Sequence, residues 1–235
     1  MTGSRAGARD RVKAGDGTAR KIRRVRLSDE VQRIFRGMIL TRQIEPGKTS
    51  QEQLAGLLGV SATPIREALL RLEGEGFVER SPNQSVRVLE MTQEDLADIY
   101  DAHAYLMGAL ARRACAKASP ELVERLRRCV ALSEEIGFVA SSRIHELEDL
   151  NWQFHSAINT AASSPKILQL LKVSTRYIPE GFYALLQDWP REAQLGHTRI
   201  LHAIVAGDPM ATQAAAADHV RQAGSLLVRY FQAKR

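Results

Sequence analysis

The chain has 235 residues, room for two domains, and 44% apolar content supports packed cores. No apolar run approaches the ~18 residues of a membrane span, and the basic N-terminus lacks the apolar segment of a secretory signal, so the expectation is a cytoplasmic protein with no membrane partner. The two cysteines, Cys115 and Cys129, have no metal or redox spacing and read as structural thiols in a reducing compartment.

The net charge of +6 is unevenly placed. Residues 1–26 carry nine Lys/Arg and two Asp, giving +7, whereas residues 27–90 carry eight basic and nine acidic groups, and the remainder balances. This tail is rich in Gly, Ala and Ser and has no apolar period, so residues 1–26 read as a disordered basic arm. Such an arm either tracks DNA phosphates or is a solubilising tail.

Residues 50–76 contain two short apolar-periodic segments. Leu54, Ala55 and Leu58 mark one face of the first, and Ile65, Leu69 and Leu72 mark one face of the second. Gly59 falls where the chain must reverse, Val60 can plug the turn, and Ser61 suits the N-cap of the second helix. This is the layout of a helix-turn-helix, whose second helix presents its N-terminal residues to base edges in the major groove. Ser61, Thr63 and Arg66 project from that end; hydroxyls and backbone N–H groups there hold phosphate, and Arg66 reaches a phosphate or a guanine edge. The bland alternative is an ordinary helical corner with a solvated arginine.

The run LGVSATPIREALLRLEGEGFVE resembles the DNA-binding domain of the GntR superfamily of bacterial regulators. Upstream, Ile39-Leu40 and Ile44-Glu45-Pro46-Gly47 fit the same pattern, so the resemblance covers residues 28–90. It implies a winged helix, with Phe77–Arg80 and Val86–Leu89 as the strands of the wing. Ala62 stands where the family usually has Arg, and the wing tip, Ser81-Pro82-Asn83-Gln84-Ser85, lacks the usual Gly. Asn83 tolerates left-handed backbone angles, and Asn83 and Gln84 are the wing's candidates for DNA contact.

From Met91 onward no alternating strand pattern occurs. Six helices are expected, at about 92–117, 120–138, 141–162, 165–186, 190–206 and 209–233, forming an antiparallel bundle. Thr92 with Asp95 reads as a capping box, and Pro120, Pro165, Pro190 and Pro209 fall at or near helix starts. The fold class is therefore mostly α: an N-terminal winged helix-turn-helix at 27–90 and an all-α bundle at 91–235.

Asn151 and His155 share a helix face at i,i+4, while His197 and His219 lie on later helices. Three imidazoles and one oxygen suit a divalent ion, with zinc first and nickel, manganese or iron as alternatives. Scattered histidines alone are more often surface or satisfied core residues. Residues 92–230, however, resemble the FCD ligand-binding domain of the FadR branch, through the segments around Asn151–Ile158, His197–Asp208 and Ala214–His219. In metal-containing members an Asp and three His bind a cation beside the effector. By position these are Asn151, His155, His197 and His219, with Asn in place of Asp. His103 and Arg176 are the candidates for gripping an acidic effector. His145 and Asp149 share a face but read as solvated.

The resemblance implies a ligand-responsive transcription factor, with repression the commoner outcome and a small organic acid as effector. A single winged helix reads too few base pairs, so a homodimer on an inverted-repeat operator in double-stranded DNA is expected. The alternatives are a helical metal-dependent hydrolase using the same histidines, and an effector-blind architectural DNA binder. No His-Glu-x-x-His motif supports the hydrolase.

Overall fold

The computed structural model describes residues 17–81, 85–137, 143–178, 181 and 186–233; in 17–26 and at 233 it describes the backbone alone. The described residues divide into two compact units, one ending at Leu89 and the other beginning at Glu90.

The first unit runs α1 (Gly17–Leu40), β1 (Gly47–Ser50), α2 (Gln51–Leu58), α3 (Ala62–Gly74), β2 (Val78–Arg80) and β3 (Ser85–Val88). Helix α1 takes in the last ten residues of the arm expected to be disordered: residues 17–26 are helical. Its Ala, Lys and Arg residues are good helix formers, and extending an existing helix costs far less than nucleating one.

Turn chemistry sets the next two helices. Ser50 accepts from the Gln53 backbone N–H and the Gln53 side chain accepts from the Ser50 N–H, a reciprocal cap at the start of α2. Gly59 ends α2 at φ 64°, the left-handed region glycine enters without a Cβ penalty. Val31, Phe35 and Ile39 of α1, Leu54 of α2 and Ile65, Ala68, Leu69 and Leu72 of α3 form the core with Phe77, Val86 and Val88.

The strands form one antiparallel sheet in the order β1-β3-β2, with Gly47 opposite Val88 and Val78 opposite the same residue on the other side. The wing strands fall within one residue of the expected positions, and β1 is an addition. Two glutamates lock the wing and α1 to α3. Glu73 accepts from Arg80 Nε at 2.8 Å and from the Arg80 backbone N–H at 3.1 Å. Glu75 accepts from Arg36 Nε and Nη2 and from Gln32 Nε2, at 2.8–3.1 Å.

The second unit is a helical bundle of α4 (Gln93–Cys115), α5 (Pro120–Ile136), α6 (Ile144–Ala162), α7 (Pro165–Ser174), a 3-10 turn (Thr175–Tyr177), α8 (Trp189–Val205) and α9 (Pro209–Ala233). Thr92 and Asp95 make the expected capping box on α4. Helix α7 stops a dozen residues short of the expected 186. Ile178 is extended at φ −104°, ψ 116°, because the next residue in the sequence is Pro179, which disfavours helical angles before it.

Helices α4 and α9 pack closely, and glycine makes this possible. At Gly108 a Cβ would meet the Gln213 carbonyl oxygen at 2.9 Å, and at Gly224 it would overlap the Tyr100 ring. Met107, Leu110, Leu126, Phe154, Ile158, Ile200 and Leu227 fill the core between the helices.

Candidate metal centre and nucleic-acid interface

In the first unit, α3 buries Ile65, Leu69 and Leu72 and so turns Ser61, Thr63 and Arg66 to solvent. Ser61 is the N-cap, extended at φ −71°, ψ 160°, and its side chain makes no capping hydrogen bond. Its hydroxyl and the first N–H groups of α3 therefore face outward together, where the helix end favours an anion. Leu70, 57% exposed, sits one turn beyond Arg66 on the same side. Asn83 and Gln84 lie outside the described residues. In the described part of the wing, Arg87 faces Glu79 across the hairpin at 3.6 Å.

In the second unit three helices bring three imidazoles together. His155 comes from α6, His197 from α8 and His219 from α9. The Nε2 atoms of His155 and His219 are 3.2 Å apart, and those of His197 and His155 are 3.4 Å apart. Metal–nitrogen bonds of about 2.0–2.1 Å at tetrahedral angles place ligand nitrogens about 3.3–3.4 Å apart. Two of the three edges thus match the tetrahedral ligand spacing, and all three residues offer ligand atoms within 4.8 Å of one another.

The rings are held from behind. Phe154 stacks on His197 with centroids 4.1 Å apart. Gly196 leaves room for His219: a Cβ on residue 196 would overlap the imidazole. His197 and His219 are 3% and 6% exposed. Burial lowers the pKa of all three, with the neighbouring imidazoles adding to the effect on His155 and His197, and Arg199 and His103 adding to it on His219, which falls to about 4. The rings are therefore neutral near pH 7, the form that coordinates metal. His155 Nδ1 is sealed from solvent without a hydrogen-bond partner. The short Nε2–Nε2 separations satisfy either an imidazole N–H···N hydrogen bond or shared coordination of one cation, and a cation uses a lone pair from each of the three rings at once.

This cluster opens on a cavity of about 550 Å³ between α4, α6, α7 and α9, lined by Asn151, His155, His219 and His103 among others. Asn151 thus shares the cavity with His155 and His219, while His197 does not line it. His103 Nδ1 lies 3.0 Å from Ser174 Oγ, whose hydroxyl donates to the Leu171 carbonyl at 2.8 Å. That leaves the hydroxyl oxygen as acceptor, so His103 carries its proton on Nδ1 and keeps an Nε2 lone pair. Burial holds its pKa down at about 4.

Arg176 does not join this group. It is exposed in the 3-10 turn and does not line the cavity; Lys172, one turn earlier on α7, does. Two further lining residues were not anticipated. Asn159 continues the Asn151–His155 row by another turn of α6, and its Oδ1 is buried without a partner. Trp152, 68% exposed, stands at the rim. His145 is exposed and lies against Glu148, as a solvated face should.

No helix among the described residues is long and apolar enough to cross a membrane. Residues 27–88 match the model for bacterial regulatory proteins of the gntR family, and residues 98–222 match the FCD domain. The chain is 28% identical over 166 residues to the Nta operon transcriptional regulator of Aminobacter aminovorans, covering 70% of this chain and 76% of that one. It is 26% identical over 224 residues to the Uxu operon transcriptional regulator of Escherichia coli K12, covering 86% of each. Among solved structures, E. coli McbR/YncC shares the fold at a TM-score of 0.62 and 20% identity, over 87% of this chain and 98% of that one. With a winged helix-turn-helix followed by an FCD domain, the chain belongs to the GntR family of bacterial transcription regulators.

Proposed function

We propose that this regulator is a metal-dependent effector sensor, most often a repressor in action, that binds an inverted-repeat operator as a homodimer. In this reading residues 27–90 are the DNA-binding domain, residues 91–235 the effector and dimerisation domain, and residues 1–26 a basic arm. Ser61, Thr63 and Arg66 contact DNA from α3, and Asn83 and Gln84 from the wing.

The observation that carries the reading is the meeting of three neutral imidazoles, two buried and one half-buried, beside a cavity. His155, His197 and His219 hold a divalent ion, zinc by preference, with the Asn151 amide oxygen as a weak fourth donor. When bound, such an ion supplies a Lewis-acid anchor for a carboxylate. His103 offers the far end of an organic acid a hydrogen-bond acceptor, or a donor once protonated. Its Ser174 contact ties any movement of the ring to α7. Effector binding acts on DNA only so far as it favours one arrangement of the dimer over another.

The test is direct. Zinc should bind the full-length protein, and a screen of carboxylic acids with zinc present should find one that shifts operator affinity. Stoichiometric zinc binding and an acid response, both lost in His155→Ala, are expected. A wild-type protein that neither takes up metal nor responds to any acid overturns the reading.

A further inference from the structure

The polar groups that line the cavity share a property: none that is described is a carboxylate. Asn151, His155, His219, His103 and Asn159 are neutral at pH 7, and Lys172 is cationic. His197 behind them adds another neutral donor. A divalent cation placed among these groups keeps its whole double charge beside the buried rings of His197 and His219. Uncompensated charge there is costly, since fixed dipoles replace water only in part.

Resting on the metal reading above, we infer that cation and effector bind as a pair, and that the effector is a small dicarboxylate whose two charges neutralise the ion. Asn151 is the residue that sets this dependence. It stands one turn before His155 on α6 and faces the same cavity. As an amide it donates an oxygen and no charge, so the protein leaves to the ligand what a carboxylate at this position would supply. Lys172 on α7 favours the same anion from another wall. Asn159, with its buried unpartnered oxygen, offers an acceptor to a hydroxyl or water on the bound acid.

Linkage makes the inference quantitative. If the acid raises zinc affinity by some factor, zinc must raise acid affinity by the same factor, commonly about 5–150-fold for coupled sites. The experiment titrates zinc into chelator-stripped full-length protein alone, with malate, and with the monoanion lactate, and titrates malate with and without zinc. Malate chelates zinc in solution, which by itself weakens apparent binding, so tightening reports entry into the site. The expected result is mutual tightening by tenfold or more with malate and clearly less with lactate. In Asn151→Asp, zinc should bind tightly alone and the malate effect should shrink.

Tight stoichiometric zinc binding to the wild type that malate does not improve, or that lactate improves equally, overturns the pairing while leaving the metal site standing. Absence of zinc binding under every condition overturns both. The reciprocal titrations on the wild type decide the matter even where Asn151→Asp fails to fold.

Discussion

The imidazole of His219 occupies the space beside Gly196 that a Cβ would fill. Glycine inside a helix ordinarily costs roughly 0.5–1 kcal/mol relative to alanine. Here that cost lets α9 bring a ligand nitrogen to within 3.2 Å of His155. Gly196→Ala should therefore gain nothing from helix propensity and lose about 1–3 kcal/mol to overpacking, read by denaturant unfolding. It should also weaken zinc binding at least as severely as it destabilises the fold. A stabilised variant with unchanged zinc affinity would show that the ring has other room.

The buried histidines make the metal-free protein acid-sensitive. His103 and His219 are held at about 4, below the ordinary value of about 6.5, and His155 and His197 are lowered as well. Between those limits the unfolded chain binds more protons than the folded one. Stability is thus fully present above about pH 6.5 and falls as the pH drops toward 4. The melting temperature of the stripped protein should decrease through this window, and His219→Gln should flatten the decrease. A pH-independent melting temperature from 4 to 7 would contradict the burial of neutral rings.

Arg66 stands exposed on the first turns of α3. Arg66→Ala should weaken operator binding by about 1–3 kcal/mol while leaving the thermal transition within error. Ser61→Ala and Thr63→Ala should each cost less. Fluorescence anisotropy with an operator duplex measures all three, and an undiminished affinity in Arg66→Ala would remove α3 as the reading helix in this orientation.

Glu75 ties α1 to the end of α3 through a forked pair with Arg36, the two side chains only 8% and 17% exposed. Removing one partner of such a pair strands the other. Glu75→Ala should lower stability by about 1–3 kcal/mol, whereas Glu52→Ala at an exposed position of α2 should change it little. Equal effects from the two substitutions would mean that the half-buried pair adds nothing.

Much of the fold was legible because local chemistry and tertiary packing agree. Gly59, Thr92 with Asp95, and the prolines at helix starts mark boundaries by backbone sterics and capping alone. Strand β1 was not legible: Gly47–Ser50 has no apolar alternation, and its strand form comes from pairing with β3. The end of α7 is obscured in the sequence because apolar residues continue past Ser174, and it is the restriction Pro179 places on Ile178 that marks it. At the site, the i,i+4 spacing located Asn151 with His155, and the same rule extended one turn would have found Asn159. Arg176 misses the cavity that Lys172 lines because rotation about α7 decides which side chain faces it, and a short helix with apolar residues on several sides does not fix that rotation in sequence.

The central claim is that His155, His197 and His219 hold one divalent cation per chain. Calorimetric titration of zinc into the stripped full-length protein, with malate present, tests it most directly. The account predicts one zinc per chain for the wild type and none for His155→Ala, with that variant still binding operator DNA. Wild-type protein that takes up no zinc, or a His155→Ala variant that binds it as tightly, would contradict it.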